Sequence, residues 1–274
     1  MSYRVIHQSD LVTISDHIAC NCRAGSHDGG EARKVVLVRR GLYTVDGAGE
    51  KVLIDALSAA VYDGKSSYHL DYPVDGGCDS TKIDADPSLM DEAFPRTRYQ
   101  VPFSPWTSLK HLRLYARIRN AEAPPEDIEG AAIDLLAEIS EAAGRSGAPR
   151  PLGPAMRRRL DQVRALMIAE PDVNHQLSDL ARIAGCSPFH FARLFRQETG
   201  YSVRAYRLRL RLAFAATRLL KGAEDLAGVA MDSGFSHHSH MTSAFRSVLG
   251  VTPRDLRTEL RARRFLKAPQ LHAA

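Results

Sequence analysis

The chain has 274 residues, 44% of them hydrophobic and 25% charged, a composition typical of soluble globular proteins with two ordinary domains. It has no run of about 18 uncharged apolar residues and its start is charged, so we expect neither a membrane-spanning helix nor a signal peptide. Four scattered cysteines exclude a disulfide scaffold, so we expect a cytoplasmic protein.

Charge divides the chain into two unequal parts. Residues 156–274 hold 20 Lys and Arg against 10 Asp and Glu, a net charge of +10, whereas residues 1–155 hold 17 against 22, a net charge of −5. Positive charge concentrated in one part is typical of proteins that bind a polyanion, because cationic side chains displace the counterions condensed on phosphate. A solvated basic face is the alternative.

Residues 1–102 contain short β-prone stretches separated by turn signals such as Asp46–Gly47 and Asp63–Gly64. The predicted strands are Lys34–Arg39, Leu42–Val45, Val52–Ile54, Ala59–Tyr62 and Tyr68–Leu70. Many short strands at this spacing predict a small antiparallel barrel or sandwich.

Two helices are predicted in residues 104–143. Ser104 before Pro105 is a suitable N-cap for the first, which should extend to about Asn120. The second has an apolar stripe that consists of Ile128, Ala132, Leu135, Leu136 and Ile139. This stripe can pack on its own domain or meet the same stripe of a second chain.

Residues 144–154, GRSGAPRPLGP, have three Gly, three Pro and no periodic apolar residues, which is a linker composition. The linker lies where the charge changes sign. Two independent features therefore predict one domain boundary.

An internal repeat is the most informative feature of the basic part. The first copy, LARIAGCSPFHFARLFRQETG, covers residues 180–200, and the second, VAMDSGFSHHSHMTSAFRSVLG, covers residues 229–250. The matched positions are Ala181/Ala230, Gly185/Gly234, Ser187/Ser236, Phe195/Phe245, Arg196/Arg246 and Gly200/Gly250. Each copy predicts a helix, a tight turn at the first glycine and a second helix capped by the serine.

The second helix of each copy has one apolar face and one polar or basic face, the kind of helix that a major groove accepts. In copy one the outward residues are Phe189, Arg193 and Arg196, flanked by His190. In copy two they are Ser239, Thr242, Ser243 and Arg246, flanked by His238 and His240. Two such copies in the basic part predict binding to double-stranded DNA.

The segment between the copies, VRAYRLRLRLAFAATRLLKG, predicts a long helix with Arg207, Arg211 and Arg218 on one face. A rigid helix there would fix the distance between the two recognition helices. At roughly 34 Å, one turn of B-DNA, a single chain could read two successive major-groove segments.

Residues 156–267 strongly resemble the DNA-binding domain of AraC/XylS-type bacterial transcription regulators. The resemblance rests on SDLARIAGCSPFHFARLFRQETGYS, on RLRLRLAFAATRLL and on VAMDSGFSHHSHMTSAFRSVLGVTPRDLR. The ending Gly250–Pro253, together with Arg257, is especially specific to this family. The likeness covers about two fifths of the chain.

The resemblance implies seven helices, two helix-turn-helix motifs and sequence-specific promoter binding. The base-facing residues that it implies are Phe189, His190 and Arg193 in the first motif, and His238, Ser239, His240 and Thr242 in the second. Ser243 and Ala192 differ from the residues that the family often has there, so phosphate contacts should carry more of the affinity. The family commonly has an amino-terminal β-barrel that senses a small molecule or mediates dimerisation.

We therefore predict an α+β transcription regulator. Residues 1–143 would be a sensor or dimerisation domain, with a small antiparallel cupin-like β-barrel in 1–102 followed by the helices of 104–143. The linker 144–154, an all-α DNA-binding domain in 155–267 and a tail in 268–274 would follow. The predicted partners are promoter or operator DNA, a small-molecule effector, RNA polymerase and a second copy bound through residues 104–143. No cofactor, metal, catalytic residue or membrane contact is predicted, and the protein is not expected to be an enzyme.

Four alternatives stay open. Cys20, Cys22 and Cys78, with His27, could form a metal- or thiol-responsive site, although structural thiols explain them more simply. His237 and His240 have the i, i+3 spacing of a zinc pair. A cupin-like enzyme is disfavoured, because residues 1–102 lack the His-x-His cluster with a later Glu and His. The helical repeat could also bind an acidic protein partner.

Overall fold

The computed structural model describes residues 4–18, 24–27, 33–47, 50–74, 77–95, 98–121, 123–145 and 152–261. The strands in these ranges are β1 (Arg4–Gln8), β2 (Val12–His17), β3 (Ala24–His27), β4 (Lys34–Arg40), β5 (Leu42–Gly47), β6 (Glu50–Asp55), β7 (Ser58–Tyr62), β8 (Tyr68–Asp71), β9 (Asp79–Ala85) and β10 (Arg98–Pro102). The helices are α1 (Pro87–Ala93), α2 (Pro105–Asn120), α3 (Pro125–Arg145), α4 (Pro154–Ala169), α5 (Leu177–Ala184), α6 (Pro188–Thr199), α7 (Val203–Leu220), α8 (Leu226–Asp232), α9 (His238–Leu249) and α10 (Pro253–Arg261).

The described strands form two antiparallel sheets instead of one closed barrel. The larger sheet has the order β1-β2-β9-β4-β7-β10, and the smaller has the order β3-β8-β5-β6. Alternation along β4 shows how the two sheets are layered. Val36 and Val38 belong to a core shared with the smaller sheet, whereas Val35 and Leu37 belong to a second core that includes residues of α1 and α3. The α+β class is confirmed, and the barrel is replaced by two facing sheets.

The apolar stripe of α3 packs on its own chain. Ile128, Ala132 and Ile139 are at most 6% exposed, and they share a core with Ile14 and Val61 of the larger sheet. A homodimer in which this stripe meets its copy is therefore not available to the folded chain, because the sheet already covers the stripe.

Helix α2 begins as predicted at Ser104, whose side chain accepts a hydrogen bond from the Thr107 amide at 3.1 Å. Three polar side chains attach α2 to the larger sheet. The Tyr115 hydroxyl donates to Asp16 at 2.9 Å, and the Arg39 guanidinium lies 3.9 Å from the Tyr115 ring centre. Burial, together with the Arg39 charge, lowers the pKa of His111 to about 3, so this histidine is neutral.

The helical half, residues 152–261, contains the seven helices α4–α10, the number that the resemblance implied. Its helices belong to two cores. Helices α4, α5, α6 and the first part of α7 share one core, and the second part of α7 shares another with α8, α9 and α10. Most of the predicted linker, residues 146–151, lies outside the described residues. None of the helices in the described ranges has the length and apolar character needed to cross a membrane.

Candidate nucleic-acid interface

The first helix-turn-helix, α5 and α6, has the turn that its sequence predicts. Gly185 adopts φ +68° directly after α5, and its amide donates to the carbonyls of Ala181 and Arg182. Ser187 then caps α6 by accepting a hydrogen bond from the His190 amide at 3.3 Å. Pro188 occupies the first turn of α6, where the helix needs no amide donor.

Helix α6 buries one face and exposes the other. Phe191 and Phe195 are 0% exposed, whereas Phe189 is 84% exposed. Arg193 and Arg196 are also exposed, and Ala192 and His190 are half-buried. An Arg193 guanidinium nitrogen lies 3.2 Å from His190 Nδ1. The structure therefore brings all four predicted residues of this motif, Phe189, His190, Arg193 and Arg196, onto the outward side of one helix.

The turn of the second helix-turn-helix, α8 and α9, requires its glycine. Gly234 has φ +78°, and a Cβ there would lie 2.4 Å from the Pro171 carbonyl oxygen and 2.6 Å from Arg211 Nε. The backbone of the α4–α5 loop thus packs directly on this turn. Any larger residue would have to displace that loop.

The predicted cap of α9 is wrong. The cap is His237, whose Nδ1 accepts from the His240 amide at 3.1 Å, while Ser236 Oγ lies 3.1 Å from the His240 ring nitrogen Nδ1. The second copy has one extra residue between its glycine and its phenylalanine. Counted back from Phe195 and Phe245, the caps occupy the same position in both copies, eight residues earlier.

Helix α9 exposes a different set of side chains. Met241 and Phe245 are 0% exposed and face the core. The predicted residues His238, Ser239, His240, Ser243 and Arg246 are exposed, and Thr242 is half-buried. The His240 ring stands edge-on to Phe235 with 5.3 Å between ring centres, so its orientation is fixed by packing as well as by Ser236.

Neither metal alternative gains a site in the part of the chain that the structure describes, where no group of three or more His, Cys, Asp or Glu could hold an ion. The His237 nitrogen that faces His240 is occupied by the cap. Cys20 and Cys22 lie outside the described residues, as does the side chain of His27. Cys78 is buried, and burial raises the pKa of its thiol far above the usual range, so it stays protonated.

The three arginines predicted to share one face of α7 form hydrogen bonds or ion pairs within the chain. Arg207 donates to the His175 carbonyl at 2.6 Å, and Arg211 donates to the Pro171 carbonyl at 2.9 Å. Arg218 pairs with Asp232 of α8 at 2.8 Å. These cations hold the α4–α5 loop and α8 against the long helix, so the basic charge available to an outside polyanion lies mainly on other helices.

A cavity of about 480 Å³ lies between the two halves of the chain. Its walls include Arg40, Val74, Ile168, Leu210, Phe214 and Lys221. Arg40 and Lys221 both contact the buried Asp79 carboxylate, at 3.0 and 2.8 Å, so two cations share one anion at this wall. Most of the other wall residues are apolar, and the charged ones are the paired Arg218 and Asp232 together with Arg39 and Asp172.

Comparison with known proteins finds similarity within the helical half. A family model described as a helix-turn-helix domain matches residues 180–259. The chain is 35% identical over 82 residues to the virulence regulon transcriptional activator VirF of Yersinia enterocolitica. The aligned region covers 30% of this chain and 30% of VirF. It is 37% identical over 81 residues to the transcriptional activator RhaR of Yersinia pseudotuberculosis, covering 29% of this chain and 26% of that one.

Among solved structures, a transcriptional regulator with an AraC-type DNA-binding domain from Chromobacterium violaceum is 28% identical. It covers 40% of this chain and 97% of that chain, with a TM-score of 0.37. The curated relatives are matched over less than a third of their own length. The likeness to them therefore concerns the helical half alone.

Proposed function

We propose that this chain, whose residues 180–259 form a helix-turn-helix domain of the AraC/XylS type, is a transcription regulator that binds promoter DNA through α6 and α9. The observation that carries the proposal is the pair of equivalent helices, each with a buried aromatic face and an outward polar or basic face. Outward residues of α6 and α9 would contact base edges and phosphates in two successive major-groove segments.

The experiment that tests this function is selection of bound fragments from random genomic DNA with the full-length chain. Enrichment of a common sequence, protected over two neighbouring groove segments in a footprint, is the expected result. Absence of binding to any DNA at low salt would refute the proposal and favour the alternative of an acidic protein partner.

The proposal includes control by a small molecule at the cavity between the two halves. A molecule that fits the wall residues would be mostly apolar and carry one acidic group, which Arg40 and Lys221 would contact. Aliphatic and aromatic monocarboxylates should raise the melting temperature of the chain. Ala213→Trp, which fills the cavity from α7, should abolish the shift, and Leu89→Trp on α1 should retain it. A shift that persists in Ala213→Trp would mean that the acids bind elsewhere.

We further propose that the regulator activates transcription through contact with RNA polymerase, as VirF and RhaR are described as activators. It would then act in the cytoplasm. Transcription from a selected fragment in a purified system measures this step. A homodimer through residues 104–143 would have to use their exposed face, since the apolar stripe is covered, and sedimentation measures whether one forms.

A further inference from the structure

A buried ion cluster joins α4 and α7, two helices that share a core with the first helix-turn-helix, to the sheets. It consists of Asp55, Asp161, Arg164 and Tyr206. The Arg164 side chain on α4 is only 2% exposed and lies 2.7 Å from Asp55 and 3.1 Å from Asp161. Its Nε donates to the Tyr206 hydroxyl at 3.2 Å. Burial, with the Asp55 charge as a further cause, raises the pKa of Tyr206, so this hydroxyl stays protonated and donates to Asp55.

Asp55 is the only member of the cluster that comes from the sheets, and it also holds the turn that follows it. Its Oδ1 accepts from the Leu57 amide at 2.9 Å and from the Ser58 hydroxyl at 3.2 Å. One carboxylate therefore binds Arg164 with one oxygen and the β6–β7 turn (residues 55–58) with the other.

The same turn contributes to the core of the first helix-turn-helix. Leu57 is 5% exposed and belongs to the core formed by α4, α5, α6 and α7, together with Leu160, Leu180 and Phe191. Phe191 lies on α6, the helix that carries Arg193. The position of α6 thus depends on a side chain from the first half of the chain.

The β6–β7 turn also touches the cavity. Ala56, between Asp55 and Leu57, lines the cavity. Ile168 of α4 and Leu210 of α7 line it as well. A molecule in the cavity would contact the residue that connects the ion cluster to the core of the first motif.

We propose that Asp55 is a positioning residue: through Arg164 and the β6–β7 turn it sets the orientation of the first helix-turn-helix, independently of the second. A buried ion pair suits this role, because removing one charge leaves the other uncompensated in a low dielectric. A molecule in the cavity would act on this attachment through Ala56, and on the second motif through Asp232 of α8, which also lines the cavity. This last step rests on the proposed control by a small molecule, whereas the positioning itself does not.

Amide hydrogen exchange of the full-length chain tests the positioning. Asp55→Asn keeps the shape of the side chain but removes its charge, and should raise exchange rates about tenfold or more in α4–α6 while leaving α8–α9 unchanged. Arg113→Gln is a matched control, because it breaks the exposed 2.8 Å contact to Glu259 beside the second motif and should leave α4–α6 unchanged. Equal acceleration in both motifs, or none in α4–α6, would overturn the proposal.

Two further variants keep the test decisive if Asp55→Asn does not fold. Leu57→Ala trims the turn without leaving a bare charge and should accelerate exchange in α4–α6 only. Combining Asp55→Asn with Arg164→Met removes both charges of the pair together with the contact between them, so exchange in α4–α6 should stay fast. Slow exchange in the double variant would show that the bare Arg164 charge, and not the lost contact, accelerates exchange in Asp55→Asn, and would overturn the proposal.

A footprint on a selected DNA fragment gives a readout that loss of stability alone would not produce. Asp55→Asn should lose protection over the groove segment read by α6 and keep it over the segment read by α9. Uniform weakening over both segments would overturn the proposal. If the wild-type chain protects no DNA, the proposed function fails, while the exchange experiment still decides the role of Asp55.

Discussion

The two helix-turn-helix motifs have the same scaffold and different attachments. In both copies a glycine with positive φ follows the recognition helix, Gly200 at +76° and Gly250 at +67°, and a phenylalanine of 0% exposure anchors that helix to its core. The first motif is attached to the sheets through ions and one leucine, Leu57. The second is attached through the apolar face of α2, where Leu109 and Leu112 share a core with Phe245.

Their outward surfaces differ as well. Aligned on Phe195 and Phe245, Arg193 corresponds to Ser243 and Phe189 to Ser239, whereas Arg196 corresponds to Arg246. The first motif therefore presents two arginines and an exposed ring, and the second presents one arginine with serines and histidines. Positions that build the scaffold are repeated. Among the positions that would meet DNA, His190/His240 and Arg196/Arg246 are also repeated, whereas Phe189/Ser239 and Arg193/Ser243 differ, as expected if each copy reads a different sequence.

Charge reversal in each recognition helix tests whether both motifs contribute to DNA-binding affinity. Arg193→Glu and Arg246→Glu should each weaken binding to a selected fragment about 100-fold or more, because an arginine contact is lost and a carboxylate faces the phosphates. Gel-shift titration measures the loss. Arg145→Glu on α3 has the same charge change and should stay within about twofold of the wild type. Unchanged affinity in Arg246→Glu would show that α6 alone grips the duplex.

Truncation of the apolar attachment tests the second motif. Leu112 of α2 is 4% exposed, and Leu112→Ala should lower the free energy of unfolding by about 2 to 5 kcal/mol through lost burial and a cavity. Urea unfolding gives the size, and hydrogen exchange should locate the loosening in α9 and α10. Loosening confined to α4–α6 would contradict the division into two attachments.

The ionic attachment should make the first motif sensitive to pH. Burial raises the pKa of Asp161 to about 6, against the opposing effect of Arg164. The folded chain therefore binds the proton of the Asp161 carboxyl group more tightly than the unfolded chain does. The stabilisation of the fold by this proton is present below about pH 4 and is lost as pH rises through 6. Relative to Asp161→Asn, the wild type should lose about 1.4 kcal/mol per pH unit over this range. Parallel urea unfolding of the two proteins checks it, and identical pH slopes would refute it.

The smallest expected effect concerns the exposed ring of α6. Phe189 is 84% exposed, so packing within the chain does not explain an aromatic residue at this position. A phenylalanine in the major groove can contact thymine methyl groups. Replacing one such thymine by uracil should weaken wild-type binding about fourfold, the value of one buried methyl group, and leave Phe189→Ala unaffected. Equal sensitivity of both proteins to uracil would assign the methyl to another residue.

Local patterns predicted much of the fold. All five predicted strands, both helices after residue 104, the two helix pairs of the repeat and the helix that joins them are present, because hydrophobic periodicity, caps and turn glycines act over a few residues. The number of helices in the basic half, seven, was implied by the family resemblance. Strands β1, β2, β3, β9 and β10 and helix α1 were not predicted. Strand β2 contains the buried polar residues Ser15, Asp16 and His17, which hide its alternation.

The outward residues of both recognition helices could be chosen from sequence, since the repeat fixes which face is buried. The cap at His237 was missed because the serine was aligned on the glycine, and the extra residue shifts the helix start. The contact between Asp55 and Arg164 could not be found in this way. The two residues are 109 positions apart, and only the packing of α4 on the sheets brings them together.

Residues of the acidic part and of the basic part contribute to the same cores, and this has a practical consequence for chimeric regulators. A helical half transplanted onto another sensor would carry Arg164 with only two of its four hydrogen-bond partners, and the side of α7 that packs on α2 would be bare. A graft that retains specificity would have to bring β6, β7 and α2 along with it. The structural unit that such a graft must transfer is therefore larger than the segment 180–259 that the helix-turn-helix family model matches.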